Sequence, residues 1–334
     1  MRPPLAPGMA VAYACSVSTE ALLARADGRD ELVDLATWTP RRIPSDELLW
    51  VDLIDPGDEE IATVQRALQL SDQAAEALGT APTVPDAGVL KGAVHVIIAT
   101  PGTAPEDDPV LLQVILGEEW VITAHAAPIG FLEEHRERVR DEREVGLLTP
   151  VQFLVAVLDW SIDAFFRVAE TLEREVERLD DAALRSDRDL LAKLVGMRRR
   201  IATVRRLVGS HRELFAELQR PDFMPGIEDA EAALLGSVAG RLERALEAVG
   251  RAREMLIGTF DVHMTRTAQR TNDIMKVLTL ASAILLPASV IAGVMGMNFK
   301  LGFFDDPNMF WFVIGGMAGI ALGTIGFARW RGWL

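Results

Sequence analysis

Two uncharged apolar runs near the C-terminus constrain this chain more than any other feature. They are Val277 to Met297 and Asn308 to Ala328. As helix, each run spans roughly 30 Å, the thickness of a bilayer's hydrocarbon core. A short connection, entered through Gly296-Met297-Asn298, joins them into a two-span hairpin. An asparagine at the mouth of such a hairpin, below a large soluble region, points to ion transport.

Flanking charge orients the hairpin. Arg266, Arg270 and Lys276 precede the first run, and Arg329 and Arg331 follow the second. The connection holds Lys300 against Asp305 and Asp306. Positive charge stays on the cytoplasmic side, so both termini are expected in the cytosol and the connection outside. Trp311 at one end and Trp330 and Trp333 at the other suit the two interfaces. Two spans cannot enclose an aqueous path. A pore therefore requires an oligomer, with one first-span helix per subunit around an axis.

The 334 residues leave about 276 ahead of the first run, enough for one large or two medium soluble domains. Net charge is −15; the charged residues after Lys276 sum to +1, so the part before carries −16. That excess excludes a basic nucleic-acid face. It suits a protein that meets cations, and equally one kept soluble by its charge. Met1 to Met9 is Pro-rich and lacks the apolar core of a secretory signal. With Cys15 as the lone cysteine, read as a buried strand thiol, this favours a cytoplasmic location for the soluble part.

The predicted fold class is α+β with a membrane part. A cytosolic α/β domain covers 1–145, long cytosolic helices forming a funnel 146–276, the first span 277–297, an external loop 298–307, the second span 308–328 and a basic tail 329–334. Strands are predicted at Val11–Val17, Leu48–Leu53, Ala93–Ile98, Val110–Leu116 and Trp120–His125. Asp55-Pro56-Gly57-Asp58-Glu59-Glu60 reads as a turn and helix start, with Ile61, Val64 and Leu68 on one face. Pro101 to Pro109 reads as a hairpin-type loop, and helix resumes at about Ile129.

From Pro150 the pattern is helical. Phe165, Val168, Leu172, Val176, Leu179 and Ala183 recur at spacings of 3 and 4, a coiled-coil-like seam. Glu170, Glu173, Glu175 and Glu177 on the same helix are a cation-binding run or, more simply, a solvated face. A second helix is predicted from about Asp187 to Leu218, with Leu191, Leu194, Ile201, Val204 and Leu207 facing inward. Its Arg198-Arg199-Arg200 and Arg205-Arg206 clusters are expected to pair with the acidic helix. After the Pro221–Gly226 break no proline occurs until Pro287. A helix unbroken from Glu228 to Gly296 would measure roughly 100 Å. Leu242, Leu246, Val249, Ala252, Leu256 and Phe260 form its predicted packing seam.

Stepping back from Gly296 by alternating 3 and 4 gives Gly293, Ser289, Leu286, Ser282, Thr279, Met275 and Asn272, then Ala268, Thr265, Asp261, Gly258 and Glu254. Small and polar residues dominate this stripe, as a pore lining requires. Close helix packing would select small residues too. In the second span Gly315, Gly319 and Gly323 make overlapping Gly-xxx-Gly steps, predicted to pack against the first span.

Thr271-Asn272-Asp273-Ile274-Met275-Lys276-Val277-Leu278-Thr279, Pro287, Ile291-Ala292-Gly293, Gly296-Met297-Asn298-Phe299 and the terminal Arg-Trp-Arg-Gly-Trp-Leu together resemble the CorA family of magnesium transporters. The likeness is close from Thr271 to the C-terminus and looser in the upstream order of elements. It implies a homopentameric divalent-cation channel that passes Mg²⁺ and also Co²⁺ or Ni²⁺, with no cofactor and with Mg²⁺ as both cargo and regulator. It implies a filter at Gly296, Met297 and Asn298, an apolar gate at Met275 and Leu278, and pore positions at Asn272, Leu286 and Ser289. It also implies a lower acidic ring at Asp261. Ser282 joins these from the stripe; Leu278 lies one residue off it. Two departures stand out: Met295 replaces the usual tyrosine, and Asp305-Asp306-Pro307 stands where the family has Met-Pro-Glu-Leu. A related branch resembling ZntB moves zinc and commonly has Gly-Ile-Asn, from which Met297 differs.

Mg²⁺ holds its waters tightly in an octahedron. A ring of Asn298 amide oxygens could accept hydrogen bonds from those waters without trapping the ion, and Asp305 and Asp306 would concentrate cations outside. His95, His125, His135, His211 and His263 show no metal-ligand spacing. His125 reads as a satisfied structural histidine. No catalytic constellation or phosphate-binding loop is evident, so the chain is not read as an enzyme. The rival class is a non-conducting membrane scaffold.

Overall fold

The computed structural model describes residues 18–26, 30–102, 108–142, 148–185, 189–220, 222–224, 227–297 and 308–333. Two compact units result, Met1–Ile257 and Gly258–Leu334. In chain order the first opens with β1 (Ser18–Arg25), β2 (Glu31–Leu32), β3 (Glu47–Ile54), α1 (Asp58–Leu68) and α2 (Asp72–Gly79). Next come β4 (Asp86–Leu90), β5 (Ala93–Thr100), β6 (Val110–Leu116) and β7 (Trp120–His125). Helices follow: α3 (Gly130–Glu142), α4 (Pro150–Arg185), α5 (Leu190–Leu218), α6 (Asp229–Met295) and α7 (Asn308–Trp330).

Four of the predicted strands stand where the sequence put them, as β3, β5, β6 and β7. The fifth, Val11–Val17, lies outside the described residues, as does Cys15. β1, β2, β4 and α2 are additional. β4 escapes an apolar reading because it is a short edge strand, Asp-Ala-Gly-Val-Leu. α2 is an eight-residue helix whose start is set by Ser71, which accepts from the Ala74 amide.

The sheet order is β2-β1-β3-β7-β6-β5-β4. β3 and β7 pair in parallel, from Leu49 opposite Trp120 to Ile54 opposite His125; the other pairs are antiparallel. Alternation along the central strands sends side chains both ways. Leu48, Trp50, Val114 and Val121 enter one core, beneath α3, α4, α5 and the start of α6. Leu49, Val51, Leu53 and Ile122 enter the other, beneath α1 and α2. β3 is buried on both faces, so it reads as a continuous apolar run rather than an alternating one.

One polar cluster interrupts this apolar frame. Trp50 Nε1 donates to Thr123 Oγ1 (2.9 Å), which donates to Asp52 Oδ1 (2.5 Å). His125 Nε2 lies 3.2 Å from Asp52 Oδ1, with its Nδ1 2.7 Å from the Ala127 carbonyl. His125 is thus a partnered structural histidine, as expected.

A third cluster joins α4, α5 and α6. Leu172, Val176 and Ala183 meet Leu190, Leu194, Met197 and Ile201, and both meet Ala248, Val249, Ala252 and Leu256. The α4 seam is therefore as the periodicity required. Two positions depart from expectation. Leu191 is exposed and Leu190 is buried in its place, because the steps Leu190, Leu194, Met197 and Ile201 follow one helix face and Leu191 lies about 100° off Leu190. Phe260 is exposed, and Leu256 is the last α6 residue in this cluster.

The arginine clusters of α5 also behave differently from expectation. Arg200 pairs with Glu175 of α4 at 2.5 Å. Arg198, Arg199 and Arg205 have no carboxylate partner among the described residues, and Arg206 bonds Thr203. The acidic face of α4 is met instead from α6: Arg241 joins both Asp159 and Asp163, and Arg251 reaches Glu173 at 3.4 Å. A third helix, far downstream in the sequence, thus shares the α4 carboxylates with α5.

Candidate conduit helix and membrane hairpin

α6 is one helix of 67 residues with Pro287 inside it. Proline has no N–H, so the Ala283 carbonyl receives no helix bond there. Membrane helices tolerate such a loss where neighbouring groups compensate. The second unit contains the C-terminal part of α6 and α7. Both helices are long and apolar enough to cross a membrane, and no residue in the most apolar stretch of either is buried within the protein. The chain is read as an integral membrane protein on this basis.

The candidate residues on α6 are Asp261, Asn272, Met275, Leu278, Ser282, Leu286 and Ser289, and all seven are exposed in the single chain. At about 100° per residue they fall within an arc of roughly 120° centred near Ser282. Leu278 forms one edge of that arc, and the other six span about 100° without it. The residues of this stretch that are partly covered are Lys276, Leu280, Ile284, Pro287, Ala288, Ile291 and Met295. Their arc is centred on the opposite side of the helix. The candidate arc is therefore open along the membrane stretch, as are Ile274 and Leu285 beside it, and the partly covered residues lie on the opposite side.

Local bonding shapes the open face. Thr279 Oγ1 donates to the Met275 carbonyl (2.7 Å) and Ser282 Oγ to the Leu278 carbonyl (2.9 Å). Each hydroxyl proton is spent on the helix itself, so the lone pairs remain for outside donors. Lys276 Nζ pairs with Asp273 at 3.0 Å. α6 ends where the Gly296 amide bonds the Ala292 carbonyl (3.0 Å) and the Met297 amide the Val294 carbonyl (3.2 Å). A Cβ at Gly296 would stand 3.3 Å from the Ala292 oxygen, a tight approach that favours glycine. Gly296 and Met297 thus occupy the turn that closes α6. Asn298, Asp305 and Asp306 lie outside the described residues.

The glycine ridge of α7 does not sit as expected. Gly315, Gly319 and Gly323 are exposed, and a Cβ on any of them would meet nothing within 4 Å. The covered face of α7 is instead Val313, Met317, Ala321, Thr324 and Ala328, on the opposite side. Larger side chains bring more dispersion contact across an ordinary helix separation. A glycine ridge gains only from a backbone at close approach, and none among the described residues lies within 4 Å of a Cβ built on it.

Among the described residues no group of three or more His, Cys, Asp or Glu side chains could hold a metal ion. The buried histidines of the first unit are engaged in structural bonds. Burial pushes the imidazoles of His95 and His211 below their ordinary value. His95 lies 2.9 Å from Gln113 Oε1, and His211 bonds backbone. Nothing in their spacing distinguished these two from surface histidines in the sequence.

Against this geometry, the profile of the family described as CorA-like Mg2+ transporter protein matches residues 45–327. The Cobalt/magnesium transport protein CorA of Methanocaldococcus jannaschii is 23% identical over 296 residues, covering 86% of this chain and 92% of that protein. The Cobalt/magnesium transport protein CorA of Thermotoga maritima is 28% identical over 167 residues, 49% of this chain and 47% of that protein. The complete structure of the CorA magnesium transporter from Methanocaldococcus jannaschii matches in fold, with a TM-score of 0.79 at 21% identity over 94% of this chain and 98% of that one. The extent of the profile match, with the two-span hairpin and the helix that enters it, establishes that this chain belongs to the CorA-like Mg2+ transporter protein family.

Proposed function

We propose that the chain forms a divalent-cation channel in the cell (inner) membrane, with Mg²⁺ as its cargo and Co²⁺ and Ni²⁺ as further ions it passes. The observation that carries this reading is the open arc of α6 from Asp261 to Ser289, opposite the face the chain covers. The names of the relatives, which specify cobalt and magnesium transport, support the choice of ion.

Five copies of the open arc would face a common axis, with Met275 and Leu278 narrowing the path and Asn272, Ser282, Leu286 and Ser289 lining it. Hydroxyls whose protons are spent on α6 present acceptors, which suit the outward-pointing hydrogens of a hydrated cation. Asn298 would select at the mouth through its amide oxygens, with Gly296 and Met297 shaping the turn that presents it. Asp305 and Asp306 would raise the local cation concentration outside, and both termini would lie in the cytosol.

No chemical energy source is needed. A divalent ion entering across about 150 mV gains roughly 7 kcal/mol, at about 2.3 kcal/mol per charge per 100 mV. Cytosolic Mg²⁺ would close the channel by relieving repulsion between the acidic first units of neighbouring copies.

Flux into liposomes tests the reading. The wild-type protein is expected to take up Mg²⁺, with Co²⁺ competing, and Mg²⁺ uptake that survives Asn298→Ala would overturn the filter assignment. Preferred Zn²⁺ uptake would assign it to zinc transport, and an absence of any uptake would assign it to a scaffold. Current that ignores saturating cytosolic Mg²⁺ would remove the gating step.

A further inference from the structure

His211 occupies a position that the conduit does not use. It lies on α5 with only 2% of its surface exposed. Its Nε2 accepts the Ala99 amide of β5 at 3.1 Å, and its Nδ1 donates to the Leu207 carbonyl at 2.9 Å. An atom that accepts an amide proton carries none, so His211 is the neutral tautomer with its proton on Nδ1.

The need for this acceptor comes from the sheet. β4 runs out at Asp86, opposite Ile97, so the edge of β5 beyond that point has no strand partner. Ala99 lies past it, paired with Leu111 on the other side. Its amide goes to His211 and its carbonyl accepts from Ser161 of α4 at 3.4 Å. Two helices thus complete the strand's hydrogen bonding with side chains, as a buried backbone group requires.

We infer that His211 is a pH-sensitive latch: it ties α5 to β5 while neutral and releases the Ala99 amide when its Nε2 takes a proton. Protonation turns the acceptor into a donor aimed at another donor, and leaves a charge without a counterion. The groups that face the ring are the Ala99 amide from β5, Phe165 from α4 at 5.7 Å between ring centres, and the Leu207 and Val208 backbone of α5. No charged side chain among the described residues acts on it. The nearest in sequence, Arg212, is held by Glu243 through both Nε and Nη2. Burial accordingly disfavours the imidazolium. The start of α6 shares a core with α5, through Val208, Leu242 and Ala245. Acid release of α5 therefore removes support from the helix that carries the open arc.

Amide exchange on the full chain in lipid nanodiscs tests this, following the peptide that covers β5 from pH 7.5 to 5.0 after correction for intrinsic exchange. Wild-type protection is expected to fall with acid, by up to tenfold per pH unit for one linked proton. His211→Gln keeps an acceptor for Ala99 and a donor for Leu207, so its protection should fall less steeply with acid than the wild type's, leaving only the dependence that His95 on β5 contributes. Flat wild-type protection, or an equally steep loss in His211→Gln, overturns the latch. Should that variant fail to fold, Ser161→Ala decides. It keeps the histidine, so protection should drop at every pH while the acid dependence persists. Loss of that dependence in Ser161→Ala overturns the proposal.

Discussion

Arg136 of α3 holds its Nη2 3.2 Å from the Oδ2 of Asp52 on β3, and only 3% of the Asp52 side chain is exposed. Arg136 Nη1 also reaches Glu20 of β1 at 3.3 Å, so one guanidinium ties α3 to two neighbouring strands. Removing one partner of a buried pair leaves the other charge uncompensated. Asp52→Ala should therefore lower stability by about 3–5 kcal/mol. Thermal unfolding in detergent measures this, and a loss below about 1 kcal/mol would contradict it.

Arg200 and Glu175 make the opposite case. Their bond is short, but both side chains are partly exposed, at 35% and 24%. Solvent screening leaves such a pair worth about 0–1 kcal/mol. Arg200→Ala should cost no more than about 1 kcal/mol in the same unfolding measurement. The large and small effects expected at Asp52 and Arg200 test whether burial, rather than bond length, sets the energy.

Half-buried His95 and buried His211 make stability depend on pH. The folded pKa of each is depressed, so the folded state resists protonation more than the unfolded chain does. Their contribution is fully present above about pH 6.5, the ordinary histidine value. It is lost as pH falls from there toward the folded values, at up to about 1.4 kcal/mol per pH unit per histidine. Denaturant titrations at pH 7.5, 6.0 and 5.0 check the sign; a midpoint that rises with acid would refute it.

The open and covered faces of α6 should respond differently to truncation. Leu278→Ala on the open arc is expected to raise Mg²⁺ flux severalfold by widening an apolar constriction, with little change in unfolding temperature. Leu280→Ala, on the covered face, should lower stability by about 1–2 kcal/mol and leave ion preference unchanged. Equal flux changes in the two variants would show that the open face does not line the path.

The glycine ridge of α7 provides a further contrast. A Cβ at Gly319 meets nothing within 4 Å in the chain. Substitutions that touch nothing change stability little, so Gly319→Ala should leave the single subunit within about 0.5 kcal/mol of wild type. Gly319→Leu should weaken any assembly that brings a second helix onto the ridge. Native mass spectrometry of the two variants, read beside their unfolding curves, separates the two effects.

Local pattern carried much of this architecture. The two apolar runs, the seam on α4, the start of α1 near Gly57 and four strands all follow from residues close together in the chain, where side-chain period and capping act directly. The arc on α6 was nearly legible for the same reason, since a continuous helix turns sequence spacing into angle. Tertiary packing decided the rest. Packing buried Leu190 rather than Leu191 on α5, and it brought Arg241 and Arg251 of α6 to α4 carboxylates beside Arg200 of α5. Space within the chain covered Val313 and Met317 rather than the glycines. The bond from the Ala99 amide to His211 joins residues 112 apart, and it exists because β4 stops short of the strand it borders. No local pattern encodes such a gap: a strand's unmet hydrogen bond becomes visible only when its neighbours are in place.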